Sequence, residues 1–76
     1  MRLNLGSHLS WYVPGQVSRM EILLANPVHL LELLSRLKLP PAEVAVAAVN
    51  GRWVSLETAV VTDVDRVDLH PPVGGG

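Results

Sequence analysis

VAVAAVNGRWV, residues 44–54, decides the architecture. Val44 to Val49 are apolar at every position, the pattern of a strand covered on both faces or central to a sheet. Asn50-Gly51 then interrupts the run. A type I′ hairpin needs positive φ at both central residues, and this dipeptide tolerates it better than almost any other. Arg52-Trp53-Val54 begins the return, so the stretch predicts an antiparallel hairpin. Upstream, Asn26 reads as an N-cap and Pro27 as the first helical residue. Val28, Leu30, Leu31, Leu34 and Leu37 follow at helical spacing, with His29, Glu32, Ser35, Arg36 and Lys38 on or beside the other face. Arg36 and Lys38 fall in the last turn, where they favour the negative end of the helix dipole. Pro40-Pro41 stops the helix.

At the start of the chain, Leu3 and Leu5 alternate with Arg2 and Asn4 as in a half-buried strand. Pro14-Gly15 signals a turn, and Val17 to Leu24 can return as the partner strand. Asp65 to Leu69 alternates and forms a last strand. The order is therefore strand, strand, helix, strand, short strand, strand. A lone amphipathic helix has only the sheet to bury its stripe against. The expectation is an α+β roll, with a mixed sheet of four to five strands and one helix packed across it.

Composition narrows the function. The chain has 76 residues, which suits one domain, and no cysteine, so neither a disulfide nor a thiolate zinc site is available. Net charge is −1 and the six basic residues are dispersed along the sequence, which argues against a nucleic-acid partner. The apolar runs stop well short of the ~20 residues of a membrane span, and MRLNLGSHLS lacks an apolar signal core. A cytoplasmic protein without a membrane partner is expected.

Catalytic groups are scarce. His8, His29 and His70 show no metal-ligand spacing, and no metal is expected. Ser7, His8 and Ser10 lack a buried acid to orient the imidazole. Asp63, Asp65 and Asp68 suit either a weak calcium site or, more readily, a solvated turn. Trp11 and Trp53 suit either interface anchors or caps on the core. The ending HPPVGGG, residues 70–76, is different. Glycine gains nothing from burial and loses the most freedom on ordering. Val73 to Gly76 are expected to form a flexible tail that carries the terminal carboxylate on the order of 13 Å beyond Pro72, thin enough for a narrow slot. A carboxylate is inert at neutrality unless activated, and this chain has no phosphate-binding loop to activate it. A partner enzyme must.

Three features together, the VNGRWV hairpin at 49–54, the Asp63, Asp65, Val67 turn and strand, and the PPVGGG ending, resemble the ubiquitin-like sulfur carriers of molybdopterin and thiamine biosynthesis. The prolines and valine are most similar to the small subunit of molybdopterin synthase. Two positions differ from those relatives: Val64 stands where glycine is common, and His70 where an aromatic or aliphatic residue is common. The resemblance implies a β-grasp domain over residues 1–72 and a tail over 73–76. It implies no catalysis by the chain alone and no permanently bound cofactor. An adenylyltransferase of the ubiquitin-activating type would use ATP to adenylate Gly76, and a sulfur donor would convert it to a thiocarboxylate. The large synthase subunit, or thiazole synthase in the thiamine branch, would receive the sulfur. Gly75, Gly74, Val73, Pro72 and Pro71 would thread the partner's channel, with His70 and Trp53 on the partner surface. Conjugation of Gly76 to lysines on other proteins shares the activated intermediate and is the alternative outside sulfur transfer.

Overall fold

The computed structural model describes residues 1–72. Five strands form one mixed sheet: β1 (Arg2–Leu5), β2 (Arg19–Glu21), β4 (Val46–Val49), β5 (Arg52–Val54) and β7 (Arg66–His70), in the spatial order β2-β1-β7-β4-β5. Two short strands, β3 (Val28–His29) and β6 (Val60–Val61), pair with each other apart from it. β1 and β7 are parallel and the other pairs antiparallel. The helix α1 (Leu30–Arg36) completes the α+β roll, and α1, β3 and β6 contribute to the same hydrophobic core as the sheet.

Alternation along each strand sends one set of side chains inward. Leu3, Leu5, Ala47, Val67 and Leu69 meet Leu30, Leu33 and Leu34 of the helix in a single core with Leu9, Leu39 and Val61. Each fully buried leucine contributes about 1.5–3 kcal/mol relative to exposure, and Leu30, Leu33 and Leu34 of α1 share this core with Val67 and Leu69 of β7. No buried residue is polar or charged among those described.

The hairpin forms as its turn chemistry dictates. Asn50 (φ 53°) and Gly51 (φ 83°) both occupy the left-handed region, and Val49 pairs with Arg52 across the two-residue loop. Pro14-Gly15 also turns, with Gly15 at φ 75°, inside a 3₁₀ segment that links β1 to β2. The strand at 44–49 is shorter than expected and open on one side: Val46 faces outward and is exposed, because the helix covers only the inner face of the sheet.

The helix begins later than Asn26-Pro27 suggests. Val28 and His29 are extended and pair with Val60 and Val61, and His29 takes the N-cap position without a side-chain cap. Leu30 N–H donates instead to the Ala59 carbonyl at 2.9 Å. A long-range strand partner supplies what a cap would have supplied. At the other end Lys38 lies one residue past the C-cap, at φ 59°. Lys38 N–H bonds Ser35 O at 3.1 Å and Leu39 N–H bonds Leu34 O at 2.9 Å, the Schellman pattern, with Leu39 and Leu34 both buried. No helix among the described residues is long and apolar enough to cross a membrane.

Candidate functional site

β7 is the middle strand of the sheet, and the tail leaves from its end. Two backbone hydrogen bonds fasten that end, one from each neighbour. Gly6 N–H donates to Leu69 O, and Ala45 N–H donates to His70 O, both at 2.8 Å. His70 is the last residue so held. Pro71 and Pro72 follow, and neither has an N–H to extend a ladder. Pro71 is half-buried and Pro72 exposed. Leu69, one residue before the clamp ends, is fully buried, so the point of departure is anchored to the core. Val73, Gly74, Gly75 and Gly76, the residues expected to carry the chemistry, lie outside the described residues.

The His70 ring lies over Gly6. A Cβ added at Gly6 would sit 2.8 Å from His70 Nδ1 and 3.3 Å from Leu69 O. Gly6 has ordinary extended dihedrals (φ −78°, ψ 149°), so it is the close approach of ring and carbonyl that distinguishes this position. Sequence reasoning passed over Gly6. Its only signal is a glycine directly after a strand, which by itself marks no more than a turn.

On the outer face, Val46 pairs with His70, and Ala48, one step further along β4, pairs with Trp53. Trp53 is 75% exposed and Trp11 70% exposed, so neither caps the core. The segments on either side of the strand end also meet each other. His8, two residues past Gly6, brings Nε2 to 3.8 Å from Oε2 of Glu43, which lies two residues before Ala45. Trp11 tilts against His8 with ring centroids 5.8 Å apart. Glu43 is not buried, and no serine hydroxyl bonds His8 among the described residues. The end of β7 is therefore held by backbone hydrogen bonds, with His70, Val46 and Trp53 facing out.

Asp63 and Asp65 stand at the opposite end of β7 and Asp68 in its middle, and all three are occupied by the fold. Asp63 accepts from Leu24 N–H at 2.8 Å and from the Met1 amine at 3.4 Å, and these bonds hold its carboxyl below the usual range. Asp65 is held low in the same way, first by Asn50 Nδ2 at 2.9 Å and then by Thr62 N–H at 2.7 Å. Asp68 accepts from Asn4 Nδ2 at 2.7 Å. No group of three His, Asp or Glu among the described residues is placed to hold a metal ion. Val64, 90% exposed, is not among the positive-φ residues, so this turn makes no demand for glycine there.

A five-stranded mixed sheet with parallel β1 and β7 at its centre and one helix across it is the ubiquitin-like β-grasp. Residues 12–76 match the ThiS family, and the chain belongs to it. Proteins of that family are small sulfur carriers that work with activating and synthase partners. No curated protein matches the sequence.

Proposed function

We propose that this chain carries sulfur on its terminal glycine for molybdopterin synthesis. The carboxylate of Gly76 attacks the α-phosphate of ATP in a partner adenylyltransferase, releasing pyrophosphate and forming an acyl-adenylate. A sulfur donor then displaces AMP, and the terminus becomes a thiocarboxylate. The large synthase subunit takes the tail and transfers that sulfur. The observation that carries the reading is the end of β7, where a family match running to residue 76 coincides with a strand fastened as far as His70 and released by two prolines. Pro71-Pro72-Val73 supports the molybdopterin branch over the thiamine one. Gly75 and Gly74 suit a narrow channel, Pro71 and Pro72 set the direction of entry, and His70 and Trp53 present the surface a partner first meets. A cytoplasmic location, where ATP and the partner enzymes are at hand, fits the reading.

The test is intact mass. Incubation with the activating enzyme, ATP and a sulfur source adds the mass of one oxygen-for-sulfur exchange, and deletion of Gly76 abolishes it. Sulfur gained by the deletion variant would sink the proposal. Supplying the thiocarboxylated chain to the large synthase subunit and to thiazole synthase in parallel decides the branch, with turnover expected in the first alone.

A further inference from the structure

The six basic residues are dispersed in the sequence, but the fold gathers three of them on one surface. Alternation places Arg2 and Asn4 of β1, Arg19 and Glu21 of β2, and Arg66 and Asp68 of β7 on the outer face of the sheet. Arg2 stands opposite both Arg66 and Glu21, and Asn4 opposite both Asp68 and Arg19. Together they line an open groove of about 730 Å³. Two arginines in register on neighbouring strands repel unless carboxylates intervene. Glu21 and Asp68 do so, with Arg2 Nε 3.1 Å from Glu21 Oε1 and Arg66 Nε 3.5 Å from Asp68 Oδ2.

Both contacts use Nε. The Nη groups of Arg2 and Arg66 have no hydrogen-bond partner among the described residues, and Arg19 has no ion-pair partner among them. The side chains of Arg2 and Arg66 are 63% and 53% exposed. Within the same row, Asn4 Oδ1 is shut off from solvent and has no hydrogen-bond partner. A buried acceptor without a donor is rare in folded proteins. A carboxylate offers no donor to it, so the arginine guanidinium groups alone make this surface suited to acids.

We infer that this groove is a second contact surface, which receives the carboxylates of an acidic segment on the protein that activates the tail. The inference rests on the carrier reading above. The outer face of β7 runs Arg66, Asp68, His70 and then the tail, so Arg66 and Arg2 lie roughly 13 Å upstream of the tail root and Arg19 roughly 7 Å at strand spacing. A partner that grips the tail and lies along the sheet covers them. Guanidinium Nη groups fork onto carboxylates with two parallel hydrogen bonds, which gives register as well as attraction. The interleaved Glu21 and Asp68 suit spaced carboxylates on a peptide and disfavour a continuous phosphate backbone. Charges of this kind act mainly on association and are screened by salt.

Two measurements test it on the full chain. In the first, Arg Nε–H resonances are followed by NMR during addition of a hexaglutamate peptide, with inorganic phosphate and a short single-stranded oligonucleotide at matched ionic strength as comparisons. Saturable shifts at Arg2, Arg19 and Arg66, absent at Arg36 on the helix, are expected from the peptide alone. Equal shifts at Arg36, or shifts from the oligonucleotide and not the peptide, overturn the inference. In the second, adenylation by the activating enzyme is measured as pyrophosphate release. Arg19→Glu and the double variant R2E/R19E are expected to raise KM at least tenfold with kcat unchanged, and to flatten its dependence on salt, while Arg36→Glu changes neither. An unchanged KM in R2E/R19E overturns the inference even though the carrier reading stands. A wild-type chain that the enzyme does not adenylate defeats the carrier reading and with it the named partner, whatever the peptide does.

Discussion

The two ends of β7 are fastened in different ways. At the entry, Asn50 reaches across from the hairpin, donating from Nδ2 to Asp65 at 2.9 Å and accepting Arg66 N–H on Oδ1 at 2.9 Å. Asp65 also caps the Thr62 N–H, and Asp63 the Leu24 N–H. At the exit, two backbone bonds and the contact between a glycine and an imidazole suffice. The amide of Asn50 and the carboxylates of Asp63 and Asp65 at the entry are consumed by folding. At the exit the backbone does the fastening, so His70, Val46 and Trp53 are left facing outward. Asn50 and its aspartates should therefore govern stability and the exit, with the arginine groove, recognition, and substitutions can pull the two apart.

The largest effect is expected at Asn50. Asn50→Ala places a Cβ-bearing residue without a local polar partner at φ 53° and removes both arms of the clamp. A loss of about 2 kcal/mol is expected, seen as a fall in Tm of roughly 8–16 °C for a domain of this size. Asn50→Gly keeps the turn and removes only the clamp, so it should lie about midway. His70→Ala at the other end should cost under about 0.5 kcal/mol, as exposed substitutions usually do. Equal losses at Asn50 and His70 would dissolve the contrast.

Acid sharpens the same contrast. Asp63 is held low chiefly by Leu24 N–H, Asp65 chiefly by Asn50, and Glu57 by the Ser55 hydroxyl. Their folded-state values lie below the unfolded ones, so the stabilisation is complete above the unfolded values and is lost as pH falls through the folded ones. Tm should hold steady down to about pH 4 and drop below it. Asp65→Asn and Asp63→Asn should each start lower at neutral pH and fall less steeply in acid. A wild-type slope below pH 4 that survives both substitutions contradicts the assignment. Because Asp63 and Glu57 are exposed and Asp65 is only half-buried, salt should soften the slope.

How far the sequence foretold these two ends follows from the range of the interactions. Asn50-Gly51 was legible because the turn's demand for positive φ is local, and so was the apolar stripe of α1. The helix start was misplaced because Asn26-Pro27 is a sound local signal overruled by pairing of Val28 and His29 with residues more than thirty positions away. The ending HPPVGGG is a run of adjacent residues and is visible in the sequence itself, while 73–76 lie outside the described residues. Gly6 could not be read this way, since its meaning comes from His70, and the arginine groove could not, since Arg2 meets Arg66 only through the parallel register of β1 and β7. Alternation shows which residues share a face of one strand. It does not show which strand lies beside it.

A small effect on stability is also expected at Gly6, and it bears most directly on the exit. Gly6→Ala meets no dihedral strain, because φ −78° and ψ 149° suit any residue. The new Cβ would crowd Leu69 O at 3.3 Å, a modest cost, against a gain of about 0.4–1 kcal/mol from a less disordered unfolded chain. Stability should change by under about 1 kcal/mol in either direction. The imidazole, however, must leave: at 2.8 Å from the new carbon it cannot keep its place, and being exposed it can swing away. Its ring proton resonances should shift, and adenylation by the partner should slow severalfold through KM if the ring's position is what the partner reads. The decisive comparison is a double-mutant cycle. In a His70→Ala background, Gly6→Ala has no ring to displace and should change KM no further. If it slows activation there as much as in the wild type, Gly6 acts through the backbone of the clamp, and His70 is a bystander at the root of the tail.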